Sequence, residues 1–319
     1  MLFLSKEDTK KLVDIRTAVK IIEDVAKWES DGLITTPDPP VSVMITNNPK
    51  SRYRTKMAFI SEIPVVGIRI IGYPLESNKK DSSRFVFLSN PATGEPLALV
   101  DDHWNYILRT AVSAVVGLSY ALESNRPLKV GLVGAGNVAA AMIEASLIFF
   151  TISEVVVTSK REISRSTFAE KMKEKFGLNI RAVDNVETVV SNADLVITAT
   201  NAGERLVKAE WLKKGVTVCT LGQYEIDEQG YKIMDKIIVD SWDVTRTAKD
   251  AKEMIKKGVL SKDNIYAEFY QLVNGIKKGR TKMDERILVR TDGLVSQDVC
   301  IAYYAYQEAL KQGIGKKLI

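Results

Sequence analysis

The chain has 319 residues, 45% of them hydrophobic and 27% charged, and a net charge of +5. That length suits about two domains with a substantial core, in the composition range of ordinary globular proteins. The positive excess is small and spread out, so no nucleic-acid partner is expected; Lys79-Lys80, Lys213-Lys214, Lys256-Lys257 and Lys277-Lys278 read as solvated faces.

Residues 5–32 predict one helix, with Ser5 and Asp8 at its first turn and Ile15, Ala18, Val19, Ile22, Val25 and Ala26 at helical spacing. From about Thr36 the pattern turns to strands: VSVMIT, YRTKMAFI, VVGIRII, RFVFLSN and LALVD, separated by turn-rich segments such as TNNPKS and NPATGEP. NPATGEP should join two neighbouring strands. A helix is expected from about His103 to Ser124. From Leu128 the order becomes strand, helix, strand: VGLVG, SEVVVTS, NIRAV, DLVITAT, VTVCTLG and KIIVDS are short β-branched runs with helical segments between most of them. That alternation predicts an α/β, doubly wound, mostly parallel sheet covered on both faces. The expected division is a mixed α+β unit over 1–124, joined again by the helical tail 291–319, with the doubly wound domain over 125–290 inserted into it.

Two residue types exclude whole chemistries. His103 is the single histidine, so no zinc site can use two, and no Cys-x-x-Cys occurs. In DDHWNY, Asp101, Asp102 and His103 could bind a divalent cation, but an acidic helix start accounts for them more simply, and no metal is expected. Nothing near His103 resembles a nucleophile elbow. Cys219 and Cys300 lie in apolar surroundings and read as buried free thiols of a reducing compartment. No apolar run reaches about 18 residues, and MLFLSKEDTKK turns charged too early for a signal peptide. A cytoplasmic location without membrane contact is expected.

The stretch LKVGLVGAGNVAAAMIEA carries the most specific signal. Gly134, Gly136 and Ala139 form G-x-G-x-x-A between an apolar strand and an alanine-rich helix. Gly134 would allow the tight turn, Gly136 the close approach of a pyrophosphate, and Ala139 the packing of helix on strand. The backbone N–H groups from Ala135 through Asn137 and Val138 would then face the phosphates. The pattern and its context predict a Rossmann dinucleotide site. At the end of the next strand an NAD site usually carries Asp or Glu for the ribose 2′-hydroxyl. Here Ser159, Lys160 and Arg161 stand there instead, which suits a 2′-phosphate. NADP(H) is therefore expected ahead of NAD(H).

ATGEPLALVD (92–101), LRTAVSAV (108–115), VGAGNVA (133–139), ADLVITAT (193–200) and DGLVSQD (292–298) resemble the ornithine cyclodeaminase/mu-crystallin family over nearly the whole length. The resemblance implies a homodimer formed through the first domain and the C-terminal helix. It also implies a small carboxylate-bearing substrate held beside the nicotinamide. It places Arg109 on the substrate carboxylate, Thr110, Thr198, Thr200 and Leu221 at the cofactor, and Gly293 at the substrate. Three positions depart from the family. Its substrate lysine appears as Arg69, which can clamp a carboxylate but cannot release a proton. Its first carboxylate-binding arginine falls near Ser42, with Arg54 or Lys56 as replacements if they are not a solvated edge. Its acid/base aspartate has no counterpart in LGQYEID, where Tyr224 stands closest; Glu225 and Asp227 are nearby, and Asp227 matches a helix start.

Cyclodeamination needs several proton transfers and so a positioned acid/base. A single hydride transfer mainly needs orientation and one proton. The departures therefore point to an NAD(P)H-dependent oxidoreductase of a 2-imino, 2-keto or 2-amino acid, with Arg69, Arg109 and Tyr224 as catalytic candidates. Ornithine cyclodeaminase, a lyase forming proline, and a non-catalytic nucleotide-binding protein are the alternatives.

Overall fold

The computed structural model describes residues 1–75, 82–122 and 126–318. Lys79-Lys80, and residues 123 and 124 of the expected third helix, lie outside them. The chain divides into two units, Met1–Arg109 with Gly293–Ile319, and Thr110–Asp292. The first crossing thus falls inside a helix, at residues 109 and 110, and not after residue 124 as expected.

The first unit opens with β1 (Leu2–Leu4), α1 (Lys6–Leu12) and α2 (Ile15–Ser30). The one helix expected over 5–32 is two. Ser5 and Asp8 form a reciprocal cap on α1, but Asp14 starts a second helix by accepting the Thr17 N–H at 2.7 Å. A side chain that satisfies the free amides of a first turn begins a helix wherever it stands. Strands β2 (Ile34–Thr35), β3 (Ser42–Asn47), β4 (Lys50–Ile60), β5 (Val65–Pro74), β6 (Ser83–Ser89) and β7 (Pro96–Asp101) follow, and α3 (His103–Ala121) leads into the second unit.

The second unit then runs β8 (Leu128–Val133), α4 (Asn137–Phe149), β9 (Ile152–Thr158), α5 (Glu162–Phe176), β10 (Ile180–Ala182), α6 (Val186–Val190) and β11 (Leu195–Thr198). It continues with β12 (Thr217–Thr220), α7 (Glu228–Lys232), β13 (Lys236–Val239), α8 (Trp242–Thr245), α9 (Lys249–Lys256), β14 (Ala267–Glu268), α10 (Phe269–Val273) and β15 (Ile287–Arg290). Helix α11 (Val295–Gln312) and β16 (Lys316–Lys317) return to the first unit.

The sheet of the second unit has the order β10-β9-β8-β11-β12-β15-β13-β14, with all its pairings parallel. From β8 the chain steps outward to β9 and β10, then returns to β11 on the other side. That reversal is the switch point at which open parallel sheets bind ligands, and the glycine loop follows β8 there. Strand β15 lies between β12 and β13 and was not among the expected strands. All four of its residues are buried, as are those of β11, β12 and β13, so it belongs to the same doubly covered core of the sheet.

The sheet of the first unit runs β16-β1-β7-β6-β5-β4-β2, with β3 also on β4. NPATGEP joins β6 to β7 as expected, antiparallel. Register decides what each face carries, because alternate residues point to opposite sides. Lys56, Arg69 and Val86 stand opposite one another on the face that α11 covers. Met57, Ile68, Phe87 and Leu99 share the other face. Among the described residues no helix is long and apolar enough to cross a membrane.

Helix α11 seats on β5 at Gly67, where an added Cβ would lie 2.3 Å from Val299 Cγ2. Gly67→Ala should therefore cost about 1–3 kcal/mol by overpacking, and Val299→Ala in the same chain should recover part of it. Urea unfolding of both single variants and the double checks this; strictly additive losses would contradict the contact.

Candidate active site

In the first unit, β4, β5, α3 and α11 bring charged side chains together out of water. Lys56, Arg69, Asp102, Arg109 and Asp298 are each at most 6% exposed. Arg69 Nε lies 2.7 Å from Asp102 Oδ2, and its Nη1 lies 3.6 Å from Asp298 Oδ2. Arg109 Nε donates to Asp298 Oδ1 at 2.7 Å. The Tyr106 ring lies near both guanidiniums, 5.4 Å from Arg69 Cζ and 5.7 Å from Arg109 Cζ. Burial opposes the charge of Arg69, but Asp102 and Asp298 outweigh it and push its pKa above the ordinary value. Arg109, for which the sequence demanded a partner, has one in Asp298.

Lys56 is not the solvated edge it could have been. Its Nζ donates to the Gly293 carbonyl at 2.6 Å. Gly293 has φ +88, and a Cβ there would lie 2.6 Å from Arg109 Nη1, so a left-handed backbone and a close approach both call for glycine. Burial, followed by the charge of Arg54, lowers the Lys56 ammonium from its ordinary value to about 7. Ser42 is exposed and Arg54 half-buried.

The DDHWNY acids divide their work. Asp101 accepts the His103 N–H at 2.9 Å and lies 2.8 Å from His103 Nδ1, while Asp102 belongs to Arg69. Among the described residues no group of three or more histidine, cysteine or acidic side chains is placed to hold a metal. Cys219 and Cys300 are free and buried, and burial raises both thiols. Asn105 was not anticipated. It is fully buried, one turn before Arg109 on α3, and neither of its amide atoms has a hydrogen-bond partner.

In the second unit the glycine loop has the geometry of a phosphate cradle. Gly134 takes φ +115, donates to the Thr158 carbonyl at 2.9 Å, and a Cβ there would meet Ala199 O at 2.4 Å. Gly136 is the N-cap of α4 without a side-chain cap, and its Cβ position faces open space. The helix amides therefore stay available to an anion. Ala139 is fully buried. A cavity of about 350 Å³ is lined by Ala135, Gly136, Asn137, Arg161, Ser164 and Lys171, among others. Lys160 and Arg161 are exposed. Thr110 Oγ1 is a buried hydroxyl oxygen without a hydrogen-bond partner, the kind of orphaned atom a ligand satisfies. The loop and this atom fit a dinucleotide.

Glu225 was expected only as a nearby carboxylate and does more. It accepts hydrogen bonds from Thr198 Oγ1 and the backbone N–H of Thr200 and Gly222, each at 2.7 Å, and of Leu221 at 3.0 Å. In three residues expected at the cofactor, the Thr198 hydroxyl and the Thr200 and Leu221 amides are thus held by a side chain of the protein itself. Asp227 caps α7 by accepting the Gly230 N–H at 2.6 Å. Tyr224 has a partner of its own. Its hydroxyl donates to Glu253 at 2.5 Å, and that bond, then burial and the charge of Glu253, push the phenol up to about 12. A phenol whose proton is engaged by a carboxylate is a poor acid at neutral pH.

The model of the ornithine cyclodeaminase/mu-crystallin family matches residues 2–313. This chain belongs to that family. A Delta(1)-pyrroline-2-carboxylate reductase of Bacillus cereus is 25% identical over 329 residues, spanning 100% of this chain and 99% of that protein. An alanine dehydrogenase of Archaeoglobus fulgidus is 25% identical over 325 residues, spanning 99% of this chain and 98% of that protein. Among solved structures, Thermococcus litoralis Delta(1)-pyrroline-2-carboxylate reductase in complex with NADH and L-proline superposes with a TM-score of 0.92 at 25% identity, covering 100% of both chains. The family fold accounts for both units described above.

Proposed function

We propose that this protein is an NAD(P)H-dependent oxidoreductase that interconverts a small 2-imino or 2-keto acid and the corresponding 2-amino acid. The observation that carries the reading is the pair of buried guanidiniums, Arg69 and Arg109, around one aspartate. Arginine's planar fork binds a carboxylate through two parallel bonds and cannot lose its charge. In this reading Arg109 and Arg69 orient the substrate carboxylate, and Gly293 leaves Arg109 room to do so. The amides of Ala135 to Val138 hold the pyrophosphate, with Thr110 beside the cofactor. The nicotinamide, when bound, supplies or accepts the hydride. Relatives that reduce pyrroline-2-carboxylate or oxidise alanine support the substrate class. Engagement of Tyr224 by Glu253 leaves cyclodeamination without the acid/base it would need near that position.

The purified protein should consume NADPH or NADH with Delta(1)-pyrroline-2-carboxylate, or with a 2-keto acid plus ammonia. Arg109→Ala should lower kcat/KM by about 100-fold, the scale of stripping one partner from a buried charge pair, while nucleotide affinity holds. Proline and ammonia formed from ornithine without net NADH would make the protein the lyase instead. A silent panel with intact nucleotide binding would make it a binding protein.

NADP(H) is the preferred cofactor in this reading, supported by Ser159, Lys160 and Arg161 where a carboxylate would mark NAD. Replacing Lys160 and Arg161 together by alanine should weaken NADPH at least about tenfold more than NADH, since each lost charged hydrogen bond is worth about 1.5–3 kcal/mol. Fluorescence titration with both nucleotides measures the ratio, and equal losses would refute the assignment.

We further propose a homodimer formed on the outer face of the first unit's sheet. Met44, Tyr53, Met57 and Ile70 share that face through the β3-β4-β5 register and are 58%, 41%, 41% and 42% exposed. A contiguous apolar sheet face of this kind marks an interface, and a twofold partner covers it with the same residues. Ile70→Asp should shift the protein from dimer to monomer in sedimentation equilibrium; an unchanged mass would remove this face from the contact.

A further inference from the structure

The buried cluster of the first unit holds two arginines, two aspartates and one lysine, and the lysine is the cation of this cluster that can release a proton near neutral pH. The guanidiniums of Arg69 and Arg109 cannot release a proton. Asp102 and Asp298 are engaged as acceptors of those guanidiniums. Lys56 stands directly across the strand pair from Arg69, and its Nζ rests on a neutral carbonyl, that of Gly293. A carbonyl accepts most strongly from an ammonium but also from a neutral amine, so this contact can persist after loss of the proton.

The incoming substrate gives the lysine a reason to titrate. Entry of a substrate carboxylate adds one negative charge to this buried site, and a nearby negative charge favours the protonated form of an amine. Groups from every packed element already act on Lys56: Arg54 from β4, Arg69 from β5 and Arg109 from α3 disfavour its charge, and Asp298 from α11 favours it.

We propose that Lys56 is the proton-transfer residue of the reaction, giving its proton to the substrate nitrogen on reduction and accepting it on oxidation. The proposal rests on the oxidoreductase reading above. In the reductive direction the C=N bond gains a hydride at carbon, from the reduced nicotinamide, and a proton at nitrogen, from the Lys56 ammonium. The π pair of the C=N bond becomes the new N–H bond, Lys56 is left as a neutral amine, and solvent returns its proton. Binding of the carboxylate thus charges the acid that the chemistry then uses.

The test compares wild type, Lys56→Met and Lys56→Ala with Delta(1)-pyrroline-2-carboxylate across pH, with nucleotide affinity and thermal midpoint recorded for each. Loss of a general acid costs about 10²–10⁴-fold in rate, so Lys56→Met should lose that much in kcat together with the ionisation near neutrality, at unchanged nucleotide affinity. Methylamine should restore part of the rate of Lys56→Ala. Calorimetry with pyrrole-2-carboxylate, an unreactive planar carboxylate, in buffers of different ionisation heat gives an independent reading: wild type should take up close to one proton on binding at mildly alkaline pH, and Lys56→Met none. An active wild type whose Lys56→Met variant keeps its rate within about threefold and the same pH limb would overturn this role for Lys56 and leave the oxidoreductase standing. A wild type inactive on every imine and keto acid would overturn both.

Discussion

The first unit depends on one constraint: three buried charges on three separate elements must satisfy one another. Asp298, on the first turn of α11, accepts from Arg109 of α3 and lies within ion-pair distance of Arg69 of β5. Removing Asp298 would take from Arg109 the carboxylate it donates to and from Arg69 its second one, and stripping a partner from a buried charge costs far more than an exposed pair contributes. A strand, the helix leading out of the unit and the helix returning to it are thereby held by one carboxylate. The same arrangement holds two guanidiniums beside one another out of water, and under the proposed function the substrate carboxylate would draw on the groups that also stabilise the unit.

The second unit solves a similar problem with neutral donors. Glu225 gathers four hydrogen bonds from the ends of β11 and β12 and the loops after them. These loops lie at the carboxyl ends of the strands, where an open parallel sheet receives its ligand. A buried carboxylate with four donors is satisfied without a cation. Its cost is that those donors are engaged by the protein itself. The glycine loop shows the opposite state: the first amides of α4 have no side-chain cap.

Much of this was legible in the sequence. Gly134, Gly136 and Ala139 announce their turn, Gly134 through its positive φ and the close Ala199 carbonyl and Ala139 through its burial, and the alternation of short β-branched runs with helices announces a parallel sheet. Arg109 announced a need for a partner, since an arginine within an apolar helix demands one. Strand β15 was missed although it is as short and as buried as β11, β12 and β13, which were read as strands. The split between α1 and α2 was missed because Asp14 reads as one more polar residue on a helical face until its side chain is seen capping a second first turn.

Local chemistry, then, determined the kinds of element, the dinucleotide loop and the need to neutralise Arg109, because each is written in neighbours within a few positions. Tertiary structure alone decided that Lys56 lies buried beside Arg69, that Asp298 sits between two arginines and that Tyr224 turns to Glu253. Those partners are 13, 189, 229 and 29 positions apart in the chain. The physical reason is that strand register and helix packing, which no spacing encodes, choose the face a side chain shares and the water it loses.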